Sequence, residues 1–401
     1  MNEPELTVQS LRTEAQTRER LPLSGLLALA TAGFITVLTE AMPAGLLPQM
    51  SADLNISQAL VGQLVTLYAI GSLLAAIPLI IATRGWRRRP LLLTAIGGFA
   101  IVNSITALST DYALTLIARL FAGIFAGLLW ALVAGYASRM VASHLQGRAI
   151  AVAMLGAPLA LSLGVPAGTL LGTVVGWRLS FAIMTALTLI LIIWVRWQVP
   201  DFPGQIAEKR LPLRKVFALP GLRSVLFVTG SYVLAHNILY TYIAPFLQPS
   251  GLAATIDRVL LVFGLASVLS IWIVGSLIDR WLRELVLISG GLFIVSALVL
   301  GFWGESAVVV YGAVAVWGLA FGAMPSLLQT ASAKTAGDAA DTAQSMLVTM
   351  WNIGIAGGGL AGGLLLDSLG VMSFPWVVAA LLVLTLLATA NARTDGFPST
   401  R

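Results

Sequence analysis

Cysteine is absent from the 401 residues, which excludes disulfides, thiolate metal sites and thiol nucleophiles. Charge is scarce as well. Asp, Glu, Lys and Arg supply 10% of the chain, against about a quarter in soluble domains, while 58% is hydrophobic. A water-facing surface cannot be built from so few charges. Two histidines, His144 and His236, leave a metal-dependent enzyme without ligands. No Gly-x-x-x-x-Gly-Lys-Ser/Thr loop is present to cradle nucleotide phosphates, which argues against direct drive by ATP. No catalytic cluster, metal or cofactor is expected, and the chain does not read as an enzyme. A net charge of +6 raises the question of a nucleic-acid partner, but the basic residues follow topology and form no binding stripe.

What is abundant is long apolar runs. A bilayer core about 30 Å thick takes roughly 20 helical residues per crossing. Between breakers the sequence predicts twelve spans: 22–47, 58–82, 90–109, 112–140, 147–173, 178–198, 222–247, 256–278, 285–303, 306–333, 341–367 and 372–391. With the N-terminus inside, 20 of the 23 Lys and Arg fall on the inner side, two outside (Arg178, Arg258) and one, Arg119, within a span. Both termini are therefore expected in the cytoplasm of a multi-pass protein of the inner membrane. The organisation follows as a cytoplasmic tail (1–21), a six-helix bundle (22–198), a Pro- and charge-bearing cytoplasmic linker (199–221), a second six-helix bundle (222–391) and a cytoplasmic tail (392–401).

The halves repeat. ARLFAGIFAG in the fourth span and AVWGLAFG in the tenth place Gly123 and Gly127 195 positions before Gly318 and Gly322. The same offset carries Gly164 and Gly168 of GVPAGTLL onto Gly359 and Gly363 of GLAGGLLL. Shared spacing across two helix pairs argues for a duplicated unit. The predicted fold is all-α and membranous, with twelve transmembrane helices in two pseudo-symmetric bundles. Gly123, Gly127, Gly164, Pro166 and Gly168 are assigned to close helix packing.

Several stretches resemble the major facilitator superfamily, and within it the bacterial drug:proton antiporter type that includes arabinose, sugar and purine-ribonucleoside efflux permeases. They are TEAMPAGLLPQMSADLNIS, VGQLVTLYAIGSLLAAIP, ARLFAGIFAGLLWAL, GVPAGTLLGTVVGWRLSF, NILYTYIAPFL and WNIGIAGGGLAGG. The superfamily's Gly-x-x-x-Asp-Arg signature is altered in its first copy, PLIIATRGWRRRP, where Thr83 replaces the acid. The second copy, GSLIDRWLR, keeps Gly275, Asp279 and Arg280. The resemblance implies a cytoplasmic charge gate at Arg84, Arg87, Arg88, Asp279, Arg280 and Arg283. Helix 5 approximates the antiporter signature, which favours export.

Ionisable groups inside a bilayer are costly and so mark function. Of 17 carboxylates only Glu40 falls within a predicted span, away from tails, loops and helix ends. It is the candidate for proton coupling; the competing reading makes it a structural carboxylate at the outer rim. Arg119 opens an Arg-x-x-x-Gly-x-x-x-Gly run that resembles the helix 4 element linked in the family to proton transfer. It needs a cavity or a partner, Glu40 being the obvious one, or else snorkels outward. A substrate cavity is expected from His236, Asn237, Tyr240 and Tyr242 of helix 7, Gln329 of helix 10, and Trp351 and Asn352 of helix 11, although packing accounts for several of them equally well. Aromatic and amide groups suit a neutral or weakly cationic organic solute. The expectation is a monomer exporting a small sugar, nucleoside or drug-like solute in exchange for protons. Proton-coupled uptake and facilitated diffusion are the rivals within the class, and a channel or membrane enzyme is the rival outside it.

Overall fold

The computed structural model describes residues 21–83, 85–142, 145–204 and 213–397. Nearly all of the N-terminal tail, Arg84, His144 and part of the linker lie outside that set. Among the described residues the regular elements are helical, and twelve helices are long and apolar enough to cross a membrane. They are α1 (Leu23–Gly45), α2 (Gln58–Ala75), α3 (Arg88–Leu108), α4 (Tyr112–Arg139), α5 (Arg148–Val175) and α6 (Trp177–Gln198), then α7 (Leu222–Thr241), α8 (Ala253–Ile278), α9 (Arg280–Trp303), α10 (Ala307–Ala336), α11 (Thr342–Leu369) and α12 (Val371–Asn391).

Local chemistry sets several boundaries. Ser57 accepts from the Leu60 N–H at 3.2 Å and Asp111 from the Leu114 N–H at 2.8 Å, capping α2 and α4. α9 begins at Arg280, five residues before its predicted start. The charges that made 280–284 read as a loop are absorbed into its first turn, where Arg283 donates to the carbonyls of Thr389, Ala390 and Phe397 at 3.0–3.1 Å. Only Trp281, at φ −126° and ψ 32°, breaks the helical path between α8 and α9. α1 stops at Gly45 and a short helix, Leu47–Leu54, follows it; α7 stops at Thr241, ahead of the short helix Ile243–Phe246.

Within the first half α4 packs on α2, α6 on α3 and α5 on α1; in the second, α10 packs on α8, and α11 and α12 on α7. The halves meet where α2 faces α11 and α8 faces α5. Leu38 and Met42 of α1 and Leu64 of α2 belong to one continuous apolar core with Tyr232, Tyr242 and Phe263 of the second half. Large apolar side chains such as Leu108, Trp272 and Val308 are exposed, as lipid-facing positions are.

Glycine contacts give the repeat physical form. A β-carbon on Gly123 or Gly127 would strike the backbone of Tyr68 or Ser72 in α2, and one on Gly318 or Gly322 would strike that of Phe263 or Ser267 in α8. Donor and target are both displaced by 195 residues, so α10 sits on α8 as α4 sits on α2. The offset assigned to the fifth and eleventh spans is corrected by one. Gly164 and Gly168 face Leu38 and Met42 of α1, and it is Gly358 and Gly362 that face Leu234 and Ile238 of α7, 194 positions on. Gly359 faces Thr66 in the other half instead. A π-helical turn at Ala160–Gly164 houses one extra residue in α5, which matches the slip. Downstream, Gly176 and Gly370 make the tight turns into α6 and α12 at φ 88° and 75°, again 194 apart.

Candidate functional site

Glu40 lies five residues before the end of α1, about 8 Å of helical rise from Gly45. It is half-buried. Arg119 is completely buried, which excludes outward snorkelling. Its Nη2 donates to the Glu40 main-chain carbonyl at 3.2 Å, its Nε to that of Leu64 at 3.4 Å, and its guanidinium stands 5.0 Å from the centroid of the Tyr68 ring. The expected pairing of the two residues is thus made through backbone. The carboxylate stays available beside the cation, and Arg119 Nη1 is buried without a partner. Tyr68 donates to the Thr36 carbonyl at 3.1 Å, holding α2 against α1 beneath the pair.

The helix 7 candidates separate by role. His236 and Tyr240, on one helix face, enter an aromatic cluster with Phe263 of α8 and Trp317 and Phe321 of α10. His236 stacks on Phe321 at 3.6 Å and 12°, and lies 5.0 Å from Tyr240 and 5.2 Å from Trp317 between ring centroids. Phe263 and Trp317 are 4.8 Å apart. Trp351 of α11 flanks the cluster, 6.3 Å from Phe321. His236 Nδ1, Tyr240 OH and Trp317 Nε1 are all buried without hydrogen-bond partners. An unmet buried polar atom costs about 1–3 kcal/mol, so three in one cluster mark an incomplete environment. Tyr240 is also within electrostatic reach of Glu40, so the cluster borders the seam where the charged pair stands.

Other candidates do different work. Asn237 and Asn352 donate to carbonyls in their own helices, Val233 and Val348, both at 2.9 Å. Gln329 is exposed on α10. Tyr242 joins the halves: its hydroxyl lies 2.7 Å from the Gly359 carbonyl and 3.3 Å from that of Ala59 in α2, and Gln63 Nε2 of α2 approaches it at 3.3 Å. Gly62, Gly362 and Gly363 wall the ring, and a β-carbon on any of them would collide with it. Sequence reasoning missed Phe263, Trp317 and Phe321, although one signal was available: the 195-residue offset sets Trp317 and Phe321 against Ala122 and Ala126.

At the terminal face, Arg87 pairs with Asp201 at 2.6 Å, and the Arg89 N–H donates to the other carboxylate oxygen at 3.0 Å, pinning the start of the linker to α3. Burial opposes the Asp201 charge, but the Arg87 guanidinium and the Arg89 N–H together hold the carboxyl below its usual range. Arg283 likewise ties α9 to the end of α12. These bonds act within one half or between it and the linker, not as a latch across the halves. Arg88 is half-buried and Arg280 exposed at this face; Arg84 and the Asp279 side chain lie outside the described residues.

Two six-helix bundles that meet around a charged pair and an unsatisfied aromatic cluster define a membrane transporter of the two-half type. Residues 29–358 match the sequence model of the Major Facilitator Superfamily, and the chain belongs to that family. It is similar to a chloramphenicol efflux pump of Mycobacterium tuberculosis, 29% identical with 86% of each chain covered. A probable sugar efflux transporter of Haemophilus influenzae is 29% identical over 90% of this chain and 92% of the relative. A purine ribonucleoside efflux pump of Escherichia coli is 27% identical over 89% and 91%. Among solved structures, the fold matches that of the nucleoside transporter NupG at a TM-score of 0.74 and 16% identity, covering 92% of this chain and 99% of that one. The chain is a multi-pass membrane transporter and not an enzyme.

Proposed function

We propose that the protein exports a small organic solute from the cytoplasm in exchange for protons, by rocking of its two bundles about the seam between α1–α2 and α7–α11. One observation carries this reading. Glu40 stands half-buried at that seam, within α1, with its main-chain carbonyl held by the fully buried Arg119. A carboxyl so placed, beside the guanidinium of Arg119, can take a proton from one side and release it to the other as access alternates. The efflux pumps it resembles support the outward direction, and the distribution of basic residues supports a cytoplasmic position for both termini, with the linker between 22–198 and 222–391 on the same side. The partners are a small-molecule substrate, protons and lipid, handled by a monomer in the inner membrane. Gating at the terminal face is assigned to movement of the basic segments around Arg87, Arg88 and Arg280.

The cargoes named for the relatives, chloramphenicol, a purine ribonucleoside and a sugar, form the first test panel. In proteoliposomes, an acidic lumen should drive uptake of the transported compound and an alkaline lumen should not; symport would give the reverse. Glu40→Gln should abolish the gradient response and retain counterflow. Equal gradient responses in wild type and Glu40→Gln would sink the coupling role.

A further inference from the structure

The aromatic cluster of the second half is built with more polar capacity than the protein itself uses. His236 and Tyr240 are each 4% exposed and Trp317 1%, and the three unpartnered atoms come from rings whose centroids lie 5.0–6.1 Å from one another. Their surroundings are Phe263 and Phe321, which offer faces and edges but no hydrogen bond. The indole N–H can only donate, whereas the phenol and imidazole can each donate or accept. A ligand that completes this set needs a flat apolar body to lie against the rings and at least one acceptor with a few further polar atoms at its edge. The cluster contains no charged side chain, and the two ionisable groups across the seam, Glu40 and Arg119, are of opposite sign and adjacent, so neither a cationic nor an anionic solute finds an unopposed partner there.

We propose that His236, Tyr240 and Trp317 form the recognition edge of the substrate site, and that the cargo is an uncharged planar aromatic or heteroaromatic compound with polar edge groups rather than a free sugar. This rests on the transport reading above and narrows it. A sugar carries a hydroxyl on nearly every carbon, so desolvating it against two phenylalanines and three polar atoms leaves several hydroxyls unmatched. A nitrophenyl or purine ring presents few polar atoms, at its rim.

The test is equilibrium binding of radiolabelled chloramphenicol, inosine and arabinose to the purified full-length protein in detergent. At least one planar probe should bind about tenfold or more tightly than arabinose, as a difference of several matched groups implies. Tyr240→Phe, which deletes one oxygen, and Trp317→Phe, which deletes the indole N–H, should each weaken that probe roughly fivefold, as for one lost hydrogen bond. Unliganded melting should stay near wild type for Tyr240→Phe; if Trp317→Phe does not fold, Tyr240→Phe decides alone. Arabinose binding as tightly as the planar probes, unchanged affinity in Tyr240→Phe, or no planar probe binding at all would each overturn the assignment. Arabinose counterflow in liposomes would then leave the export reading standing. Conversely, a planar probe that binds with the predicted variant losses but is never transported defeats the export reading and leaves the site intact.

Discussion

Removing the Tyr242 hydroxyl should tilt the protein toward opening at the face away from its termini. The hydroxyl has one proton, and the 2.7 Å separation favours donation to Gly359 in its own half. The link across the seam is then the 3.3 Å approach of Gln63 Nε2, with the Ala59 carbonyl a longer second contact at 3.3 Å. Opening would break the Gln63 link and keep the Gly359 bond. Tyr242→Phe therefore removes about one net hydrogen bond from the closed state only, worth ~1 kcal/mol or a factor of roughly five in the closed-to-open ratio. Because Gln63 Nε2 also lies 3.4 Å from both the Ala59 and Gly359 carbonyls, some of the loss is recovered, and a shift of about two- to tenfold brackets the expectation. The absence of native cysteine makes the measurement direct. Gln58 and Gln248 belong to α2 and to the loop after α7 and line one groove of about 320 Å³ at that face. Spin labels at Gln58→Cys and Gln248→Cys report its width by double electron–electron resonance. Tyr242→Phe should move population to the longer distance, and Gly62→Ala, whose methyl meets the Tyr242 ring, should move more. An unchanged distribution in both variants, or a shift toward the shorter distance, refutes the clasp.

Two further outcomes follow from the packing and the linker. Gly123→Ala and Gly318→Ala each drive a methyl into backbone of the neighbouring helix and should cost about 1–3 kcal/mol in thermal unfolding. Gly97→Ala and Gly312→Ala, where nothing lies within 4 Å of the added carbon, should be neutral or slightly stabilising. Because the Asp201 carboxyl is held below its usual range, its contribution to stability is complete above about pH 4 and is lost as pH falls through the lowered folded value. Asp201→Asn should therefore lower the melting temperature at pH 7 and remove the acid-side decline assigned to this group; an acid-side decline that persists undiminished would show that the linker tie contributes nothing.

The twelve helices were legible because bilayer thickness imposes one length on every span, and no tertiary detail is needed to read it. The start of α9 was missed for a local reason: Arg280, Arg283 and Glu284 look like a loop until Arg283 is seen to satisfy the carbonyls at the end of α12. The glycine repeat was readable in α4 and α10, where spacing is uniform, and slipped by one in α5 and α11, because a π-turn changes register without any distinctive residue to announce it. Glu40 and Arg119 were found because charge in a span is rare. That their hydrogen bond uses the Glu40 carbonyl could not be found from side-chain chemistry. The aromatic cluster was half-seen, since Phe and Trp are ordinary in lipid-facing helices, and only the meeting of α7, α8 and α10 separates the buried rings from Trp272 on the surface.

The corrected offsets also relate the two working regions. The 195-residue step takes Tyr68 to Phe263, Ala122 to Trp317, Ala126 to Phe321 and Arg119 to Val314. The 196-residue step that pairs Leu38 with Leu234 and Met42 with Ile238 takes Glu40 to His236. Equivalent backbone sites are thus filled differently: Glu40 and Arg119 give way to His236 and Val314, two alanines give way to Trp317 and Phe321, and an aromatic ring is kept at Tyr68 and Phe263. A duplicated scaffold can diverge in this way because each half already satisfies its own helix contacts through glycine and backbone, leaving the seam-facing positions free to change. On the proposed reading, the first half carries the proton and the second holds the cargo. Coupling between them then has to cross the seam, where Tyr240 of the aromatic cluster comes within electrostatic reach of Glu40. A proton on Glu40 and a ligand on Tyr240 would bias the same closure, and reciprocity requires each to alter the affinity for the other by the same factor.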